Sequence, residues 1–339
     1  MIGEHQSPSD GAPFLQAPRR SRTALPRFRE SDPDCLDIGL VNNMPDAALD
    51  ATERQFRALL AAAAGNGFVV RLTLYTLPEV PRSDFGRQRV SAYSSLDQLW
   101  NRHHDGLIVT GTEPLAADLE HEPFWGSLTR VLDWAEHNTY STILSCLAAH
   151  AGTLHIDGIL RRPLDDKRFG VFECVRAADH PLTAAAPARL QMPHSRWNEI
   201  PEEALLACGY RVLTRSEDAG VDSFVKHRKS LFVFFQGHPE YEAVTLLLEY
   251  RRDIRRFLRN ERDTYPSMPH GYFDPDTVDA LNALRQRSLS DRREERLAEF
   301  PTATAAGKVT NNWRSAAEGV YRSWLRYLCA EKQQQLRAG

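Results

Sequence analysis

Short apolar runs alternate with longer mixed stretches along the first half of this chain. Leu36–Val41 (LDIGLV) reads as a buried strand. The Asn42-Asn43-Met44-Pro45-Asp46 that follows is turn chemistry. Asp50 and Glu53 have the spacing of a capping box, and Phe56, Leu59, Leu60 and Ala63 then share one helical face. FVVRLTLY, from Phe68, predicts a second strand, and GLIVTG, from Gly106 to Gly111, a third that ends in a glycine turn. Pro123 opens a helix whose apolar stripe is Leu128, Val131, Leu132 and Ala135. YSTILSC is a fourth strand, with Cys146 at its C-terminal end. This alternation predicts an α/β fold, a central mostly parallel sheet with helices on both faces.

After Cys146 the pattern loosens. AAHAGTLHIDGIL reads as a short helix and a turn, and further strands fall near Val171, Val212 and Phe234. EAVTLLLEYRRDIRRFL, from Glu242, is a strong helix with Leu, Leu and Ile on one side. Asp276–Glu299 has a charged helical pattern, polar nearly all round, as in a solvated helix or flap. In NWRSAAEGVYRSWLRYL, Val320, Trp324 and Leu328 sit at helical spacing and form a docking face. The expected organisation is a loose tail over 1–34, an α/β domain over 35–273, and a helical C-terminal extension over 274–339 packed on it.

Composition narrows the possibilities. The 339 residues are 42% hydrophobic and 26% charged, as in ordinary globular proteins. The 42 basic and 45 acidic residues leave a net charge of -3, which exerts no global pull toward nucleic acid or anionic membrane. No stretch approaches the roughly 20 apolar residues that span a bilayer. The opening residues are rich in Pro, Ser and Arg and lack the apolar core of a secretory leader. The cysteines Cys35, Cys146, Cys174, Cys208 and Cys329 are odd in number and lack C-x-x-C spacing, so neither a disulfide framework nor a zinc knuckle follows. A reduced, cytoplasmic protein is expected.

Two features carry chemistry. In open α/β sheets, sites collect at the carboxyl ends of strands, where Cys146 lies with a helix behind it. A helix N-terminus favours the thiolate. Taken alone, such a cysteine also fits a buried core thiol. In FFQGHPEY, His238 and Glu240 follow an apolar strand with Pro239 fixing the backbone between them. Glu240 can then hold the imidazole in one tautomer while its other nitrogen takes a proton. Together the three form a Cys-His-Glu arrangement.

The segments LVNNMP, DGLIVTG, PFW before a helix, PHSRW at Pro193–Trp197, GHPEY and WRSAAEGVYRSWL occur in an order and spacing that resemble the homoserine O-acyltransferases, within the class I glutamine amidotransferase superfamily. The likeness runs from about Leu36 to Tyr272 and resumes from Trp313 to Tyr327. GHPE is shared with the amidotransferases; PHSR and the C-terminal WRS segment favour the acyltransferases. The resemblance implies a flavodoxin-like fold in which Cys146 accepts an acyl group as a thioester, His238 is the general base and Glu240 orients it. The amide of Leu147 and a donor from the loop after Thr110-Gly111 would bind the oxyanion. Lys167, Ser195 and Arg252 match the family's substrate contacts, Arg252 for the amino-acid carboxylate, with Arg251 an adjacent alternative.

It further implies a cytoplasmic homodimer acting at the first committed step of methionine biosynthesis. Its substrates would be acyl-CoA and L-homoserine, with no permanently bound cofactor, no metal, and no nucleic-acid or membrane partner. Acyl choice in the family depends on a position just after T-G-x-P. TGTEPLAAD carries one extra residue, and Ala116 aligns there, small enough to leave room for succinyl-CoA; Glu113 lies nearby. The chain departs from the family at Leu147 (usually Trp), at Asp46-Ala47 (usually Lys after Met-Pro), at His150 four residues after Cys146, and in a longer charged segment from about Asp276 to Ala305. Acetyl-CoA as donor, or serine as acceptor, are alternatives on the same fold. A glutamine amidotransferase would need an ammonia-accepting domain, and none is visible. A non-catalytic binding or regulatory protein on the same fold is an alternative of another class; loss of Cys146, His238 or Glu240 would point to it, and all three are present.

Overall fold

The computed structural model describes residues 34–338. The tail expected over 1–34 therefore lies outside the described residues, save for Asp34. In chain order the elements begin β1 (Cys35–Val41), α1 (Asp46–Ala64), β2 (Val69–Tyr75), α2 (Asp84–Val90), α3 (Leu96–Trp100), β3 (Gly106–Val109), α4 (Trp125–Asn138), β4 (Ser141–Ser145) and α5 (Leu147–Asp157). Then come β5 (Arg162–Arg176), β6 (Arg189–Glu199), α6 (Glu202–Ala207), β7 (Arg211–Ser216), β8 (Gly220–His227) and β9 (Leu231–Phe235). Helices α7 (Thr245–Leu258), α8 (Pro275–Ser290), α9 (Thr302–Lys308) and α10 (Arg314–Ala338) complete it.

The strands form one nine-stranded mixed sheet in the order β2-β1-β3-β4-β9-β8-β7-β5-β6. The first five run parallel, as the apolar runs predict. From β9 onward each neighbour is antiparallel. Strands β3, β4 and β9 are buried at every position, because helices cover both faces there.

One face is covered by α1 and α10. Tyr321, Trp324, Leu325 and Leu328 pack with Leu36, Ile38 and Leu40 of β1 and Phe56, Leu59 and Leu60 of α1. The Trp324 indole donates to Ser141 Oγ at 2.9 Å, so a polar end is satisfied inside the apolar layer. The opposite face is covered by α4 and α5, with Val131, Leu132 and Ala149 against Val109, Leu144 and Phe234. A third cluster joins α7 and α8 to Phe169, Val171 and Trp313.

Three local readings change. Helix α1 starts at Asp46 behind Pro45, one turn before the expected cap. Asp50 and Glu53 lie inside it and bind Arg89 instead. The charged segment is helical, but α8 is not polar all round: Thr277, Leu281, Leu284 and Ser288 form a buried stripe. Beyond it, Arg292 donates to the carbonyls of Phe257 (2.7 Å) and Arg262 and stacks on the Phe257 ring, closing the end of α7. Strands β6 and β8 have no counterpart in the sequence reading. The first carries Pro193, which suits an edge strand, and β6 is the sheet's edge. The second carries a buried Asp222, whose Oδ2 accepts from Thr214 Oγ1 at 2.6 Å.

Candidate active site

Cys146 leaves β4 by one last sheet contact, its N–H donating to the Phe235 carbonyl at 2.7 Å. The backbone then turns sharply, with φ 52° and ψ -111°. Among the described residues, Asn260 is the one other non-glycine with positive φ. Such a conformation costs roughly 1–3 kcal/mol and persists where its surroundings over-determine it. Here the sheet holds one side, and the amides of Ala149 and His150 hold the Cys146 carbonyl on the other, at 2.9 and 3.2 Å. The turn sets the thiol at the N-terminus of α5. As the first residue of α5, Leu147 has no acceptor for its N–H within the helix. The loop after β3 lies directly on that amide: a Cβ on Gly111 would stand 3.0 Å from it.

The loop after β9 is fixed just as firmly. The Gln236 side chain accepts from the Ile200 amide (3.0 Å) and donates to the Val221 carbonyl (2.7 Å). The His238 amide donates to the Pro193 carbonyl at 2.8 Å. His238 Nδ1 meets Glu240 Oε1 at 2.9 Å, and the Tyr241 ring stacks on the imidazole, centroids 4.2 Å apart. Burial alone would depress the imidazole's pKa; the negative charges of Glu240 and Cys146, and hydrogen bonds to both, overcome it and hold His238 well above its ordinary value. With Nδ1 turned to Glu240, the interaction with Cys146 falls to the other ring nitrogen. This arrangement lets the imidazole take the proton of the Cys146 thiol.

A second cluster lies across the same cavity. Lys167 sits where the β5–β6 register slips, a bulge that re-aims its side chain. Its Nζ lies 3.1 Å from Asp253 and 3.6 Å from Glu249, above the Phe169 ring. Ser195 Oγ donates to Glu249 at 2.6 Å, as does Tyr241 Oη. Arg252 lies 2.9 Å from Asp253. Burial would raise both carboxyls, but Lys167 and Arg252, with hydrogen bonds to each, hold Glu249 and Asp253 below their ordinary values. Sequence reasoning missed these two acids. Their signal was an i, i+4 pair of acids on the apolar face of α7, where a charge must be partnered.

Cys146, His238, Glu240, Lys167, Ser195 and Arg252 thus line one cavity of about 560 Å³. Arg252 lines it and Arg251 does not. Glu113 and Pro114 line it from the loop after β3, bound at Glu113 by Arg256 (2.9 Å). Ala116 is not among the lining residues; its amide is held by Glu122 Oε1 at 2.8 Å. Asp46, where the family usually has Lys after Met-Pro, is also not among the lining residues. It accepts from Ser83 N (2.8 Å), Ser83 Oγ (2.6 Å) and Arg82 (3.2 Å). Those contacts outweigh its burial and lower its pKa. His150 is buried in the cavity wall, and neither ring nitrogen has a hydrogen-bond partner at normal distance. Burial, reinforced by the charges of Arg196 and Arg161, pushes it down to about 3, so it is neutral at pH 7 and unsuited to act as base.

Two arginines from the antiparallel half also reach this cavity. Arg196 is buried and forks onto the carbonyls of Asn198 (2.7 Å) and Ala219. Burial lowers it to about 10, with the Cys146 charge opposing the shift. Arg161 donates to the Ala117 carbonyl at 2.9 Å. Behind the site, Cys174, His194 and Asp222 are buried with their ligand atoms within 4.8 Å of one another. Arg196 Nε lies 3.4 Å from His194 Nδ1, and His194 Nε2 lies 3.4 Å from Asp222 Oδ1.

The chain is similar to known proteins over most of its length. The homoserine O-succinyltransferase family profile matches residues 15–335. A homoserine O-succinyltransferase of Methylorubrum extorquens is 48% identical over 291 residues, 86% of each chain. One of Rhodopseudomonas palustris is 48% identical over 297 residues, 87% of this chain and 89% of that one. Among solved structures, a glutamine amidotransferase of Methylobacillus flagellatus is 17% identical, with a TM-score of 0.48 over 87% of this chain and 95% of that one. The chain belongs to the homoserine O-succinyltransferase family.

Proposed function

We infer that this chain moves a succinyl group from succinyl-CoA to the hydroxyl of L-homoserine through a thioester on Cys146, a step of methionine biosynthesis. The observation that carries the reading is the constrained turn at Cys146 with the His238–Glu240 pair beside it. In the first half-reaction the Cys146 thiol gives its proton to His238, and the thiolate attacks the thioester carbonyl of the donor. The amide of Leu147, with a second donor from the loop after Gly111, receives the oxyanion. Collapse breaks the bond to CoA sulfur, which takes the proton from His238 and leaves as free CoA. Homoserine then enters, its carboxylate on Arg252 and its remaining polar groups near Lys167 and Ser195. His238 removes the hydroxyl proton, the oxygen attacks the acyl-Cys146 carbonyl, and the second intermediate expels the Cys146 thiolate. Each bond formed is matched by one broken, so the chain's own groups suffice without a resident cofactor.

We further propose a cytoplasmic homodimer, with the α/β domain over 35–273 carrying the site and residues 274–339 buttressing it. No helix among the described residues is long and apolar enough to cross a membrane.

Intact-protein mass spectrometry tests the chemistry. Wild type mixed with succinyl-CoA alone should gain a succinyl-sized adduct that homoserine discharges, and Cys146→Ala should gain none. An adduct from acetyl-CoA only would change the donor, and one that homoserine leaves in place would change the acceptor. Folded protein that takes no acyl group from either donor sinks the reading.

A further inference from the structure

We propose that Arg161 reads the free carboxylate at the far end of the succinyl donor and thereby sets the site's preference for a dicarboxylic acyl group. The inference rests on the succinyl-transfer reading above and names the determinant within the same cavity.

Most cations of the cavity are already engaged. Lys167 and Arg252 are paired with Asp253, and Arg256 with Glu113. Arg196 is held on two backbone carbonyls. Arg161 and Arg262 line the cavity, and among the described residues their side chains bond to the Ala117 carbonyl and Thr264 Oγ1 and to no carboxylate within 4 Å. Arg161 lies near enough to Cys146 for the cysteine's charge to act on it, whereas Arg262 donates to Thr264 Oγ1 at 3.3 Å. Glu122 and Asp118 also act on Arg161, from beyond salt-bridge distance.

The length of the acyl group decides between them. Three C–C bonds separate the two carbonyl carbons of a succinyl group, a reach of roughly 4 Å. Whatever meets the distal carboxylate must therefore lie beside Cys146. Arg161 follows the turn at Gly158 that ends α5 and returns to the cavity, where it is a lining residue together with Cys146 and His150, one helical turn beyond the thiol. It is partly buried, so its field is less screened than that of a surface arginine. One Nη is pinned by the Ala117 carbonyl, which fixes the guanidinium and leaves its remaining N–H donors free to form a fork. The loop holding Ala116 would then act on acyl choice through its backbone, by aiming Arg161 from the Ala117 carbonyl.

A single-turnover comparison of succinyl-CoA with butyryl-CoA isolates this contact. Butyryl has the same carbon count and the same CoA, but no distal charge. Thioester formation is followed by CoA release in wild type, Arg161→Met and Arg161→Lys. Arg161→Met should slow acylation by succinyl-CoA roughly 10- to 100-fold, the scale of one charge-assisted contact. Its rate with butyryl-CoA should stay within about threefold of wild type. Arg161→Lys should fall between, and it carries the same test if the Met variant does not fold. A succinyl-to-butyryl ratio unchanged by substitution overturns the proposal. Both rates falling together would place Arg161 on the CoA phosphates or on the thiol, which the two donors share. If wild type forms no thioester with either donor, the succinyl-transfer reading itself has failed, and this inference falls with it.

Discussion

Strands β1, β3, β4 and β9 of the parallel half are buried almost throughout, whereas β5 and β6 of the antiparallel half mix buried, intermediate and exposed positions. The halves also deliver their polar groups differently. Cys146 and His238 come just after the ends of β4 and β9, on turns whose backbone is hydrogen-bonded on both sides. Lys167, Ser195 and Arg196 come from within β5 and β6, where side-chain direction follows the pleat and its bulge. The proposed chemistry is thus tied to backbone position in the parallel half. The proposed recognition is tied to side-chain pattern in the antiparallel half, with α7 supplying the opposing charges.

The sharpest test of that division removes the base. His238→Ala should slow thioester formation by about 10³-fold or more, while the fold and homoserine binding survive. Glu240→Gln should act through the imidazole's pKa, which is raised in the folded protein. A raised pKa stabilises the fold fully below the ordinary value of 6.5 and loses that contribution as pH rises through the raised value. NMR titration of His238 should therefore show no inflection near 6.5 in wild type, and one displaced downward in Glu240→Gln. Identical titration in the two proteins would detach Glu240 from the pair.

On the recognition side, Asp253→Asn leaves Lys167 and Arg252 short of a buried counter-charge. A loss of roughly 2–3 kcal/mol of stability is expected. Discharge of the acyl-enzyme by homoserine should slow about tenfold, with acylation changed far less. The pH dependence carries the opposite sign from that of His238. Asp253 and Glu249 have depressed pKa values, so their contribution is complete above the ordinary carboxylate values of 3.8 and 4.5 and is lost as pH falls below them. Urea melts at pH 7 and pH 3 should then converge in Asp253→Asn more than in wild type. If acylation and discharge fell equally, the two halves would not be separable in the way drawn above.

The same contrast explains what the sequence made legible. LDIGLV, GLIVTG, YSTILSC and LFVFF are continuous apolar runs because their strands are covered on both faces, and such runs stand out. Cys146, His238 and Glu240 could be read because each follows such a run. Strands β6 and β8 escaped because Pro193 and Asp222 interrupt them, and what tolerates those residues is edge position in one case and a buried Thr214 partner in the other. Glu249 and Asp253 sit among the arginines of α7, and their role shows only when Lys167, eighty-odd residues away, faces them. Helix α1 was read one turn late because Asp50 and Glu53 mimic a cap, although Pro45 already marks its start. No spacing in the sequence announced the positive φ of Cys146.

That last feature yields the smallest effect, and it tests whether the proposed chemistry is tied to backbone position. Neither Cys146→Ala nor Cys146→Gly has a thiol, so both should be inert, and their difference reports the backbone alone. In an ordinary helical or extended setting, glycine is the less stable of the two by roughly 0.5–1 kcal/mol, because its unfolded chain is freer. At φ 52° and ψ -111° the order should reverse, since alanine pays for its Cβ where glycine does not. Urea unfolding should place Cys146→Gly above Cys146→Ala by about 1 kcal/mol. Alanine proving the more stable would mean that the turn relaxes once the thiol is gone. The conformation would then be held by the thiolate's contact with His238, and not by the hydrogen bonds to Phe235, Ala149 and His150 on either side.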